Sequence, residues 1–400
     1  MKFNKWTVGL AAVGVVSLAS AARADEKMNA VQTALSNTTL SGYVDTAATW
    51  RPGTDQKSGV GSFPGYAFSK NDGFSLNAVD IALDHPEDES PWAAGYRIEL
   101  MLGPDAVGYG FAGTAGTDAS GTFIRNAYVT LRTPVGNGID WKVGVWDSIL
   151  GYESTSSPLD PNYTRSYGYT ILPRTYTGVL ATYKINDMVS LQAGMADSLS
   201  GENPSTAGFA ESQKSYMGGV TFTAPDSAGF MQGATLNFGA IDAAGGSGVG
   251  TSQGYTILHA DATLPTPVKA VKVGAAFDYD DIHNGGVAAN PANDSVWVVG
   301  LYGNFQATDK LSLNLRGEYL SNEGGLTTLS TPSADLGYGA AEELTATVQY
   351  NLWENVISRL EFRWDHVEHG NAWGPSVNAT GTAPGKEDDF LLALNLIYQF

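Results

Sequence analysis

The segment Phe390–Phe400 alternates without a break. Phe390, Leu392, Leu394, Leu396, Tyr398 and Phe400 share one face, and Leu391, Ala393, Asn395, Ile397 and Gln399 share the other. A period of two is the spacing of a β-strand with two unlike faces. The pattern recurs upstream. Leu360, Phe362 and Trp364 oppose Arg359, Glu361, Arg363 and Asp365, and Leu311, Leu313, Leu315 and Tyr319 oppose Ser312, Asn314, Arg316 and Glu318. Val273, Ala275 and Phe277 oppose Lys272, Gly274 and Asp278, and Tyr96, Ile98 and Leu100 oppose Arg97, Glu99 and Met101. A soluble sandwich also alternates, with its apolar face inward. Here the polar face carries charges of both signs in mid-strand, and the apolar face tends to end in Tyr, Trp or Phe. That combination fits a wet lumen and an outer belt bounded by aromatic girdles. The expected fold is all-β: a closed antiparallel transmembrane β-barrel of about 16 strands with both termini periplasmic.

The candidate strands are 39–50, 74–84, 92–103, 122–133, 139–147, 174–185, 188–197, 213–223, 231–242, 253–264, 268–279, 294–306, 310–320, 341–353, 355–367 and 388–400. The second, fourth, sixth and tenth alternate poorly. The connections between strands alternate between long and short along the chain, as expected for long outside loops and short periplasmic turns. Closure satisfies every backbone N–H and C=O, which a spanning sheet with a free edge cannot do. Leu313→Arg on the lipid face is expected to be costly, and Asn314→Arg on the lumen face to be tolerated.

Composition narrows the function. The chain has no Cys, which excludes disulfides, thiolate metal sites and thiol catalysis. Its formal charge of −19 argues against nucleic acid as a partner. Residues 1–24 read as a secretory signal: Lys2 and Lys5 precede the apolar run Val8 to Ala19, and Ala22-Arg23-Ala24 supplies an A-x-A cleavage site. Residues 25–38 read as a short periplasmic lead, and 39–400 as the barrel. The expected location is the outer membrane of a Gram-negative-type bacterium, with membrane lipid and lipopolysaccharide as surroundings.

One stretch carries more than architecture. It reads Lys142-Val-Gly-Val-Trp-Asp-Ser-Ile-Leu-Gly-Tyr-Glu153, then Asp160-Pro-Asn-Tyr-Thr-Arg-Ser-Tyr167, then Pro173 and Tyr176-Thr-Gly-Val179. This resembles the hallmark of the outer-membrane β-barrel porin-2 family (OmpL-like), in which a G-x-x-x-x-x-x-G-x-E strand end precedes an N-x-x-[ST]-R-S loop, here one residue shorter as Asn162-Tyr-Thr-Arg-Ser166, and a P-x-x-x-x-G-V strand start. The resemblance is close over about 40 residues and implies a porin, without naming a solute.

The third long link, 148–173, holds Pro158, Pro161, Pro173 and four tyrosines, and that composition favours order. It is expected to fold into the lumen and narrow it, with Glu153, Asp160 and Arg165 at or near the constriction. The expected pore-lining charges are Arg97, Glu99, Arg125, Lys142, Lys272, Arg316, Glu318, Arg359, Glu361 and Arg363, which either set a field across the pore or pair with one another. Acidic residues assigned to the outer links, among them Asp105, Asp118, Glu202, Glu211, Asp280, Asp281, Glu323 and Asp335, suggest a weak cation preference. Phe400 resembles the terminal aromatic by which barrels are recognised for insertion. Homotrimerisation follows by analogy alone.

No chemistry of other kinds is expected. Gly108-Tyr-Gly-Phe-Ala-Gly113 matches G-x-G-x-x-G but lacks a βαβ setting. His366 and His369 point to opposite faces of a strand, and Asp278-Tyr-Asp-Asp281 lacks EF-hand spacing. No metal or cofactor is expected. A barrel hydrolase would have to use a Ser or Asp beside His366. The expected function is a water-filled channel for passive diffusion of small hydrophilic solutes and ions. The alternative is a structural or adhesive barrel with a closed lumen.

Overall fold

The computed structural model describes residues 38–52, 72–109, 122–197, 214–245, 253–283, 294–322, 339–368 and 386–400. The proposed signal, and all of the lead except Thr38, lie outside these residues, as do Asp118, Glu202, Glu211, Glu323, Asp335 and His369.

Sixteen strands form one closed antiparallel barrel. They are β1 (Thr39–Trp50), β2 (Gly73–His85), β3 (Ala94–Leu102), β4 (Thr122–Thr133), β5 (Ile139–Asp147), β6 (Thr175–Lys184), β7 (Val189–Ala196), β8 (Ser215–Thr223), β9 (Thr235–Gly245), β10 (Gln253–Pro265), β11 (Val271–His283), β12 (Asp294–Gln306), β13 (Leu311–Asn322), β14 (Gly339–Trp353), β15 (Val356–Val367) and β16 (Asp388–Gln399). Each strand pairs with its neighbours in sequence, and β1 closes the ring on β16 from Tyr43↔Gln399 to Trp50↔Leu392. An even count puts the start of β1 and the end of β16 at the same end. There the backbones of Gly42 and Phe400 exchange two hydrogen bonds of 3.0 Å. A Cβ on Gly42 would lie 2.7 Å from the Phe400 ring and would meet the Asp80 carbonyl, so no larger residue fits.

The two faces of each strand separate as the alternation requires. On β16, Phe390, Leu392, Leu394, Leu396 and Tyr398 are exposed, whereas Asp389, Leu391, Ala393, Asn395 and Ile397 are buried toward the interior. β13 and β15 behave alike: Leu313, Leu315, Leu360 and Phe362 lie outside, and Asn314, Arg316, Glu318, Arg359, Glu361 and Arg363 lie inside. Asn314 is bonded to Asn304 and to the Pro161 carbonyl, so the inward site chosen to tolerate Arg is already filled.

The four weakly alternating strands have two different explanations. β2 and β4 are bulged. The register shifts at Asp45/Thr46 and at Glu99/Leu100, turning Asn77 with Ala78, and Arg125 with Asn126, to the interior in succession. β6 and β10 are regular, but their inner faces carry Tyr176, Leu180, Tyr255 and Ile257, so both faces read as apolar.

Most strand boundaries shift by one to three residues from the sequence reading, and two shifts change the assignment of links. β9 starts at Thr235, because Asp226–Met231 forms a 3-10 turn with Gly229 and Gly233 at positive φ. The short-end link there, 224–234, is therefore longer than the following link, 246–252. β11 runs on to His283, so Asp280 and Asp281 belong to a strand and not to an outer link; Asp280 is buried on its inner face. Asp105 sits in a short helix α1 (Pro104–Tyr109) and is also buried.

Candidate functional site

The link 148–174 leaves β5 and returns to β6, its stem closed by the Ser148 N–H on the Arg174 carbonyl at 2.7 Å. Pro158 opens a 3-10 turn, Ser157–Leu159. Ser166 caps the helix α2 (Tyr167–Ile171), its hydroxyl accepting from the Tyr169 N–H at 2.9 Å. From Tyr152 to Leu172 most of the link is buried against inward faces of the wall. A backbone buried in this way must find partners for its polar groups. They come from charged side chains on β13–β15.

Arg316 is the centre. Its guanidinium donates to Glu153 at 2.7 Å, to the Thr164 carbonyl at 2.8 Å, to the Arg165 carbonyl at 3.3 Å and to Glu343 at 2.5 Å. A planar fork with five donors suits this many-sided contact better than an ammonium would. Arg363 donates to the Arg165 carbonyl at 2.6 Å and pairs with Asp365 at 2.7 Å and Glu343 at 3.1 Å. Arg359 donates to the carbonyls of Ser157 and Asp160. Two carboxylates take the link's N–H groups: Glu361 accepts from Tyr163 and Thr164, and Glu318 from Tyr167 and Gly168. Within the link, Arg165 pairs with Asp160 at 3.0 Å, and Glu153 accepts from the Ser166 N–H.

The rest of the link rests on an apolar seat. Leu150, Tyr167, Ile171 and Leu172 pack with Trp146, Tyr176, Leu180, Ile241, Ile257, Val298 and Leu320. Glycines on the wall make the close approach possible: a Cβ on Gly239 would meet Leu150, and one on Gly274 would meet Tyr152. α1 adds to the filling from the other side, with Ala106 packed among Tyr43, Ala78, Met101 and Tyr169.

Burial shapes the link's titration. It pushes Asp160 up to about 7, against the pull of Arg165, and Tyr152 up to about 12. Tyr163 and Tyr167 are pushed well above the usual range for the same reason.

The residues singled out from sequence therefore fall into three groups. Glu153, Asp160 and Arg165 are 9%, 2% and 3% exposed and are turned into the seat. Arg316, Glu318, Arg359, Glu361 and Arg363 hold the link, while Glu99 and Arg125 pair at 2.7 Å beside the β4 bulge. Arg97, Lys142 and Lys272 keep partial exposure on the inner wall. Sequence reasoning missed Glu343, although its alternation with Thr345 and Thr347 marks it as inward. His366 pairs with Asp388 on the outward face, and Asp278 is held by His259. Among the described residues no group of His, Asp or Glu converges as a metal site.

Apart from Arg174 at its stem, the link's partly exposed residues are uncharged, among them Ile149, Gly151, Ser154, Ser156, Pro158, Leu159 and Pro161. Across from Ile149 and Gly151 stand β7–β9, whose inward faces hold Gln192, Gly219, Thr221 and Asn237.

Solved structures share this fold at low identity. The anion-selective porin from Comamonas acidovorans matches with TM-score 0.61 and 13% identity, over 91% of this chain and 99% of that one. In-vitro folded OmpT, an outer membrane protein of Vibrio cholerae, matches with TM-score 0.59 and 12% identity, over 93% and 100%, and its trimer form with TM-score 0.57. The outer membrane channel DcaP of Acinetobacter baumannii matches with TM-score 0.58 and 13% identity, over 91% and 97%. No sequence match was found among curated proteins. Residues 37–400 match the family described as "Putative beta-barrel porin-2, OmpL-like". With that match spanning the barrel, the chain belongs to this outer-membrane porin family.

Proposed function

We propose that the protein is a passive, water-filled diffusion channel for small hydrophilic solutes and ions, with the link 148–174 as its fixed constriction. The observation that carries this is the link itself. It is fastened inside a sixteen-strand barrel by buried arginines, yet the inward residues Ser190, Gln192, Thr221 and Asn237 of β7–β9 stay partly exposed. Barrels of this strand number enclose an aqueous lumen. Transport would follow the gradient and involve no covalent step. Glu153, Asp160 and Arg165 would fix the constriction's shape, and Arg97, Lys142 and Lys272 would meet the solute. The short turns and both termini would face the periplasm, residues 1–24 would direct export, and Phe400 would mark the strand for insertion into a membrane bearing lipopolysaccharide. A homotrimer is supported by the trimer form of the Vibrio cholerae neighbour.

Single-channel recording of the purified protein in a planar bilayer tests the reading. Discrete, stable conductance steps are expected. A folded, heat-modifiable barrel without conductance would instead favour a structural barrel with a closed lumen.

A further inference from the structure

The inward charges of the wall differ in whether they are covered, paired or neither. Among the described strand residues, every inward carboxylate is either buried, as Asp80, Asp261 and Asp280 are, or held by an arginine. Asp84 lies 3.7 Å from Arg97, Asp140 2.5 Å from Arg132 and Asp147 2.7 Å from Arg125. The inward bases follow the same rule with two exceptions. Lys184 pairs with Asp187 at 2.9 Å, but Lys142 on β5 and Lys272 on β11 keep partial exposure without a hydrogen bond or an ion pair. The Lys142 ammonium lies 4.9 Å from the centre of the Tyr128 ring, a contact that positions it and leaves its charge uncancelled. Lys272 is flanked in register by Pro265 and Asn304, both neutral.

Both lysines stand toward the short-turn end. Lys142 is the fourth residue of β5 and Lys272 the second of β11, and both strands start at that end. Strands β6–β10 lie between them, so the positive charge is not confined to one patch of the wall. Their inward surroundings at this depth include Tyr128, Thr182, Ser190 and Gln349, which are uncharged and partly exposed. One acid of the short links comes near Lys142. Glu87 is pushed up to about 7 by burial and by the neighbouring Asp140 carboxylate, so it is mostly neutral at pH 6. At the stem of the link, Arg174 adds a further partly exposed cation, its guanidinium 5.3 Å from the centre of the Tyr169 ring.

We infer that Lys142 and Lys272 make the short-turn end an anion-collecting vestibule, and that the channel favours small anions, such as carboxylates and inorganic phosphate, over cations. The inference rests on the channel reading above. A paired charge presents a dipole whose field fades quickly. An uncompensated ammonium on a low-dielectric wall draws anions from about a Debye length, about 10 Å at 0.1 M salt. The acidic excess of the chain does not oppose this from the described wall. Of the acids expected to attract cations, Asp105 and Asp280 are buried, and Asp281 lies on the outward face of β11.

The test is the reversal potential of the protein purified from outer membranes, measured at pH 6 across a KCl gradient. The unmodified channel should pass chloride several-fold more readily than potassium. Lys142→Gln and Lys272→Gln should each move the reversal potential toward zero, and the double variant should abolish the preference. Lys142→Arg and Lys272→Arg should retain it, and Lys269→Gln, on an exposed turn, should leave it unchanged. The preference of the unmodified protein decides the matter even if a variant fails to fold. A potassium-selective or unselective unmodified channel, or a chloride preference that survives the double Gln variant, would overturn the inference. A folded barrel without current overturns the channel reading and this inference with it. Current without a chloride preference overturns this inference alone.

Discussion

On β13–β15 most inward side chains toward the link are charged and bonded, many of them to its backbone; on β7–β9 none is charged, and several face open space. Both walls come from the same antiparallel ladder and the same alternation. The difference teaches that an inward charge in this barrel is foremost a fastening. A buried guanidinium or carboxylate is stable only when its partners are complete, and here the partners are the peptide groups of an infolded link. The wall that meets the link through apolar side chains and glycines, at Met217, Gly239 and Ile241, has no inward charges.

The comparison can be broken most forcefully at Arg316. Arg316→Ala strands Glu153 without its cation, leaves Glu343 with Arg363 alone, and should cost on the order of 3–5 kcal/mol. The check is the temperature at which the barrel's gel band shifts, together with noisier single-channel current as the link loosens. Thr221→Arg, on the open wall, should stay within about 0.5 kcal/mol of the unmodified protein in the same assay. Equal losses at both sites would erase the distinction between the walls.

Leu313→Arg tests the facing itself. Leu313 is outward and 40% exposed, and an arginine facing lipid there should cost about 2 kcal/mol, read by unfolding in urea from lipid vesicles. A smaller effect is expected from Gly239→Val. The new side chain takes the space of Leu150, and overpacking of this kind costs about 1–3 kcal/mol. Current noise should rise while the Arg316 contacts persist, which would separate the apolar seat from the charged one.

The smallest effect is in pH. Asp160, raised to about 7 by burial, holds its proton more tightly in the folded state than in the unfolded chain. Its contribution to stability is fully present below the ordinary carboxylate range and is lost as pH rises through about 7. The unfolding midpoint should fall slightly from pH 5 to pH 8, and Asp160→Asn should flatten that slope; an unchanged slope in the variant assigns it to another group.

Most of the wall was legible because lipid outside and water or polar packing inside impose a strict two-residue rhythm, as in β13, β15 and β16. The rhythm fails where a bulge inserts a residue, at Asn77 and Arg125, and where the inner face meets apolar side chains instead of water, at Tyr176 and Ile257. The site was half legible. Arg316, Arg359, Glu361 and Arg363 stand out as charges in mid-strand, and the prolines and tyrosines of the link announce order. What the pattern lacks is pairing. Nothing local to Thr164 says that its N–H meets Glu361, and nothing local to Glu343 says that it bridges Arg316 and Arg363. These are contacts between distant parts of the chain, made by strand position and not by motif.

That distance has a consequence for assembly. Thr164 reaches Glu361 across 197 residues, and Tyr167 reaches Asp365 across 198. The link's polar groups therefore lack these partners until the last strands stand beside β13, and contacts of such high sequence separation form late. Before that moment its buried peptide groups must be solvated, so the wall has to be raised around water. The constriction is then the keystone of the barrel, set last, and a chain truncated within β15 would insert, if at all, with its passage unnarrowed.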